Sequence, residues 1–100
     1  MKGNTIQQFI DDLLTMGGPE KEFVFRAKFF FLETVYDNEC QMDKLYVAEY
    51  HNCDDDAPCT KITSFWGNNF SECVKQFEIA PIFDGLTIYQ AEQEIEVLFG

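Results

Sequence analysis

Residues 22–36, EFVFRAKFFFLETVY, constrain the fold more than any other stretch of the chain. Phe23, Phe25, Ala27, Phe29 and Phe31 keep strict alternation, the period of a strand whose side chains point to opposite faces in turn. FFFL, at 29–32, is apolar at consecutive positions, so both of its faces need cover and a central place in a sheet follows. Fifteen residues run well beyond the typical strand of about 5–6. That favours a break near Arg26-Ala27-Lys28, although Ala-Lys is poor chemistry for a two-residue hairpin. Lys28 and Glu33 stand beside the apolar run as charged gatekeepers.

Around this core strand the other elements read in order. Residues 5–16 predict an amphipathic helix: Ile6, Phe9, Ile10, Leu13 and Leu14 follow the i, i+3, i+4, i+7, i+8 stripe. Asn4 or Thr5 caps its start, and Gly17-Gly18-Pro19 ends it. KLYVAEYH (44–51) and TKITSFW (60–66) predict two strands, paired antiparallel across a long connection. In NNFSECVKQFEIA, Asn69 and Glu72 make a capping-box pattern, and Phe70, Cys73, Val74 and Phe77 share a helical face. PIFDG is a turn by composition. Thr87 with Gln90 caps IYQAEQEIEVLF, which can begin as a helix and finish as a strand. The expected fold class is α+β: one domain over residues 1–100, with an antiparallel sheet of three to five strands, an N-terminal helix and two C-terminal helical segments packed on it.

Charge narrows the range of functions. Segment 37–56 holds Asp37, Glu39, Asp43, Glu49, Asp54, Asp55 and Asp56 against Lys44 alone. Segment 76–100 holds Glu78, Asp84, Glu92, Glu94 and Glu96 with no base, and the remaining residues balance. The whole net charge of −11 therefore belongs to two segments, where a surface tuned only for solubility would spread it. Direct nucleic-acid binding is disfavoured, because affinity for phosphates comes from lysine and arginine. No apolar run reaches the roughly 18 residues of a membrane span. The N-terminus carries acids where a signal peptide needs an apolar stretch, so a cytoplasmic location is expected.

HNCDDDAPC, residues 51–59, collects the only histidine, two cysteines and three aspartates. Zinc would need a set such as Cys40, His51, Cys53 and Cys59, but the cysteines lack the close knuckle pairing of zinc sites. The consecutive aspartates do not match a calcium loop. A catalytic Cys53 or Cys59 would be opposed by those aspartates, which raise a thiol's pKa. No nucleotide-binding glycine fingerprint occurs. The expectation is no catalytic residue, no metal and no cofactor, with the cysteines as reduced thiols and the segment as an exposed acidic connection between strands.

Carboxylates at i and i+2 of a strand stand about 6.6–6.8 Å apart on one face, a pitch that imitates backbone phosphates. The expected partner-binding residues are Asp54, Asp55 and Asp56 in one patch and Glu92, Glu94 and Glu96 in another, with Tyr46, Tyr50 and Trp66 as aromatic anchors. In size, acidity and compact α+β pattern the chain resembles the small phage-encoded inhibitors of the anti-CRISPR type. The likeness spans the whole chain and rests on overall character rather than on a motif. It implies a non-enzymatic inhibitor of a basic, nucleic-acid-handling bacterial protein such as a CRISPR effector, acting in the host cytoplasm without contacting nucleic acid itself. Two alternatives of other classes are an accessory domain that forms a homodimer and a zinc-stabilised interaction module.

Overall fold

The computed structural model describes residues 1–15, 20–51 and 59–99. Helix α1 (Ile6–Thr15) is followed by strands β1 (Glu20–Phe25), β2 (Lys28–Asp37), β3 (Met42–Tyr50) and β4 (Cys59–Gly67). Then come α2 (Phe70–Ile79), the short α3 (Ile88–Ala91), a 3₁₀ turn (Glu92–Glu94) and β5 (Ile95–Phe99). The strands make one sheet in the order β4-β3-β2-β1-β5, with every neighbouring pair antiparallel. This is the expected α+β architecture with the upper number of strands. The 22–36 stretch breaks where its length required, and β2, which carries FFFL, is the middle strand.

The break is a two-residue hairpin. Phe25 pairs with Lys28, leaving Arg26 and Ala27 at φ +48° and +63°, the left-handed signature of a type I′ turn. Asp84-Gly85 makes a second such turn, at φ +54° and +83°, between Phe83 and Leu86, which exchange backbone bonds at 3.0 Å. Asp-Gly is the favoured chemistry there; Arg-Ala is not. The two turns are tied together, with Lys28 Nζ 2.6 Å and Arg26 Nη1 3.5 Å from the Asp84 carboxylate.

The helix starts follow their caps. The Thr5 hydroxyl accepts from Gln8 N–H at 3.1 Å. Asn69 caps α2 by accepting from Glu72 N–H at 2.9 Å. The Glu72 carboxylate reaches back one residue further than a standard box and accepts from Asn68 N–H at 2.6 Å. Thr87 and Gln90 form the complete reciprocal box at α3.

All three helices pack on one side of the sheet. Phe9, Ile10 and Leu13 of α1, Cys73, Val74 and Phe77 of α2, and Ile88 and Ala91 of α3 join Phe23, Phe25, Phe30, Leu32, Leu45, Val47 and Ile95 in one buried cluster. Phe83 sits among the rings of Phe23, Phe25, Phe30 and Phe77, with centroids 5.2–6.2 Å away, in the tilted and edge-on geometries that aromatic pairs prefer. Lys21 lies within this layer, 1 % exposed. Its ammonium is 2.7 Å from Asp12 and 5.3 Å from the centre of the Phe9 ring, so it latches α1 to the sheet.

One edge of the sheet is closed. Lys2 forms a parallel bridge to β5: its N–H donates to Ile95 O at 2.9 Å, and its carbonyl accepts from Val97 N–H at 2.8 Å. At the far edge, the carbonyl of Trp66 accepts from Gln76 Nε2 at 2.7 Å. Alternate residues of an antiparallel strand direct their backbone groups to the same side, so Ile62 and Ser64 also turn theirs away from β3.

Candidate functional site

Asp54, Asp55 and Asp56 lie outside the described residues, between the end of β3 and the start of β4. The C-terminal acids are described, and they do not form an extended row. Glu92 and Glu94 belong to the 3₁₀ turn and only Glu96 to a strand. Bases from elsewhere in the chain meet two of the three. Arg26 binds both oxygens of Glu94, at 3.0 and 2.7 Å, and Lys2 lies 3.4 Å from Glu96. Asp84 is also taken, by Lys28 and Arg26. Hydrogen bonding to Arg26 holds Glu94 below the usual carboxylate range, and the bond from Lys28 does the same for Asp84. The negative excess of segment 76–100 is therefore largely compensated in space by Lys2, Arg26 and Lys28.

The three expected anchors, Tyr46, Tyr50 and Trp66, share one face of the sheet, with Trp66 and Tyr46 in adjacent rows and Tyr50 two rows further on. They stand on the face of the sheet opposite the helices, and strand pairing lays that face out in rows. Val35, Lys44 and Trp66 form the first; Glu20, Glu33, Tyr46 and Ser64 the second; Glu22, Phe31, Ala48 and Ile62 the third. In the fourth, Val24, Phe29 and Tyr50 lie side by side. Phe99 extends the third row beside Glu22, and Glu96 the fourth beside Val24. No helix of the described residues packs here. The rings instead shelter one another: Phe31 and Tyr46 are 6.2 Å apart and Phe29 and Tyr50 5.8 Å, and Ala48 beneath them is buried without joining the main core. Ile62 and Phe99 remain 62 % and 57 % exposed. They stand on the two edge strands of the sheet, at opposite ends of the third row.

Sequence reasoning missed the carboxylates of this face. Glu20 stands directly opposite Glu33, and Glu22 is two residues along the same strand face. No ion pair to any of the three exists among the described residues. Their sequence neighbours, Lys21 and Lys28, point to the helical side, where Asp12 and Asp84 engage them. A segment that is neutral by count thus presents a negative corner in space. The Tyr46 hydroxyl lies in that corner; burial pushes its pKa up, and the Glu33 and Glu20 carboxylates push it further. It stays protonated and donates to the Glu33 carboxylate.

Lys44 is the base of this face. Its ammonium sits 5.4 Å from the Tyr46 ring centre and 5.0 Å from that of Trp66, and among the described residues no carboxylate is within ion-pair range of it. The thiols offer little chemistry. Cys40 and Cys59 are exposed and Cys73 is buried, with its pKa pushed up by burial and by Asp43. Among the described residues no group of three or more histidine, cysteine, aspartate or glutamate side chains is placed to hold a metal ion. Cys53, a member of the considered zinc set, lies outside the described residues. No helix of the described residues is long and apolar enough to cross a membrane.

No protein-family model, no curated protein and no solved structure matches this chain.

Proposed function

We propose that the chain is a non-enzymatic inhibitor that docks on a basic, nucleic-acid-handling bacterial protein, in the manner of the anti-CRISPR type it resembles. One observation carries the reading: the solvent side of the sheet gathers Tyr46, Tyr50 and Trp66 into an aromatic field bordered by the uncompensated Glu20, Glu22 and Glu33. Aromatic anchors beside acids suit a protein surface rich in arginine and lysine. At a net charge of −11 the whole body is drawn to such a surface by long-range steering, which accelerates encounter roughly 10–10³-fold and weakens with salt. The Asp54, Asp55 and Asp56 segment adds to that field and occupies the place of backbone phosphates on the target. The target is held through its nucleic-acid-binding surface, so inhibition is competitive with nucleic acid.

The test is affinity capture from bacterial lysate with the immobilised chain, eluted on a salt gradient. The expected result is a basic nucleic-acid-binding protein released as salt rises and displaced by its own nucleic acid. Reversing Asp54, Asp55 and Asp56 to lysine should abolish its capture while leaving the melting temperature close to unchanged. A homodimer built on the apolar part of the same face, such as Ile62 and Phe99, is the second reading, and it would show self-association indifferent to salt. That outcome, with no basic partner retained, overturns the first.

A further inference from the structure

On the open sheet face, the row of Glu20, Glu33 and Tyr46 and the neighbouring row of Lys44 and Trp66 contain two unusual arrangements. Glu20 and Glu33 are like charges directly opposite one another, an arrangement that destabilises a sheet. One row away, Lys44 lies over both Tyr46 and Trp66. The chain thus already seats a cation between these two rings, and it leaves a pair of carboxylates beside them without one.

We infer that this corner is a receptor for arginine side chains of a protein partner, in which Lys44 holds intramolecularly the place that a partner's guanidinium takes. The inference rests on the reading that the partner is basic. Arginine is the side chain that fits. Its planar guanidinium stacks on an aromatic ring while its edge donates to carboxylates in a fork, whereas an ammonium is a strongly hydrated point charge that does neither as well. A guanidinium lying on Tyr46 would have the Glu33 and Glu20 carboxylates along its edge, relieving their repulsion. Lys44, with no carboxylate of the described residues to hold it, is free to swing aside. The corner is therefore less stable empty than occupied, which is how a surface selected for binding differs from one selected for stability.

The chain's only tryptophan is Trp66, so its fluorescence reports on this corner. The probes are nona-arginine and nona-lysine peptides, titrated at low salt and followed by Trp66 emission and by calorimetry. Nona-arginine should bind, perturb the emission, and exceed nona-lysine in affinity by about threefold or more. In the double variant Glu20→Gln, Glu33→Gln its affinity should fall by about tenfold, while the free protein melts at a higher temperature than wild type. Stability and binding move in opposite directions only if the carboxylate pair is kept for a ligand. Lys44→Met should tighten binding, and Lys61→Met, the same change of charge on the edge strand, should tighten it less.

If affinity is lost instead on changing Asp54, Asp55 and Asp56 to asparagine, and the glutamine variant binds normally, the arginine receptor is overturned while the basic-partner reading stands. Equal affinity for both peptides, or equal losses in both variants, shows generic attraction of polycations and also overturns it. Binding of neither peptide at low salt removes both readings together.

Discussion

Arg26 donates from Nε and Nη2 to the two carboxylate oxygens of Glu94, at 3.0 and 2.7 Å, across 68 residues of chain. The same guanidinium lies 4.9 Å from the centre of the Phe25 ring, and its Nη1 is 3.5 Å from Asp84. These contacts hold a hairpin turn that its own residues disfavour, since Arg26 and Ala27 both adopt positive φ where asparagine and glycine are the usual choices. The turn is positioned by tertiary contacts, and Glu94 serves the fold.

Replacing Ala27 by glycine should stabilise the protein. A left-handed conformation costs a residue with a Cβ about 1–2 kcal/mol, and glycine's extra freedom in the unfolded chain returns part of that, leaving a gain of roughly 0.5–1 kcal/mol. For a domain of this size each kcal/mol moves Tm by about 4–8 °C. Thermal unfolding followed by circular dichroism reads the effect, and an unchanged or lowered Tm contradicts the assigned turn.

Arg26→Ala should lower Tm, and it should do so less in high salt, because its partners are solvent-exposed and screened. Combined with Glu94→Gln, the losses should be less than additive in a double-mutant cycle. The folded-state pKa values of Glu94 and Asp84 are lowered. Their contribution is therefore complete above the ordinary carboxylate range and disappears as pH falls through the lowered values. Amide exchange at the hairpin should accelerate selectively in that acid window.

Asp12→Asn should be the most damaging single polar change. It removes the carboxylate that stands 2.7 Å from the buried Lys21 ammonium, and breaking a buried pair of this kind costs about 3 kcal/mol. The Lys21 bond holds Asp12 below its ordinary pKa of 3.8, so the wild-type pair stabilises fully at neutral pH and is lost as pH drops through the lowered value. Urea unfolding of wild type and variant at pH 7 and at pH 3 checks this: the gap between them should narrow in acid.

Gly3→Ala should release the N-terminus from β5. Gly3 sits at φ +84°, and a Cβ there would lie 2.5 Å from the Val97 carbonyl oxygen, closer than any packing allows. The amide of Val97, which bonds to Lys2 O, should lose protection from exchange, whereas the amides of β2 in the sheet centre should keep theirs.

Patterns confined to a few neighbouring residues were readable in the sequence: the caps at Asn69 and Thr87, the alternation around Phe23 and Phe29, the stripe from Ile6 to Leu14. The length of 22–36 demanded a break and its place was legible, but Arg26-Ala27 as a workable turn was not, because what offsets its strain sits at residues 84 and 94. Charge counted by segment misled for the same reason. Lys2, Arg26 and Lys28 cross the fold to meet the C-terminal acids, while Glu20, Glu22 and Glu33 are stranded on the far side of the sheet from the lysines beside them in sequence. Tyr46, Tyr50 and Trp66 could be nominated as anchors from residue type. Their common face, and the acids that border it, emerged only with the register of four strands.

The open edge of β4 has a consequence for how copies of this protein meet at high concentration. Strand-to-strand joining needs an unsatisfied ladder on each body, and among the described residues β4 offers one, at Ile62 and Ser64. Two copies joined there, β4 against β4, would use up both ladders, so that contact closes at a pair.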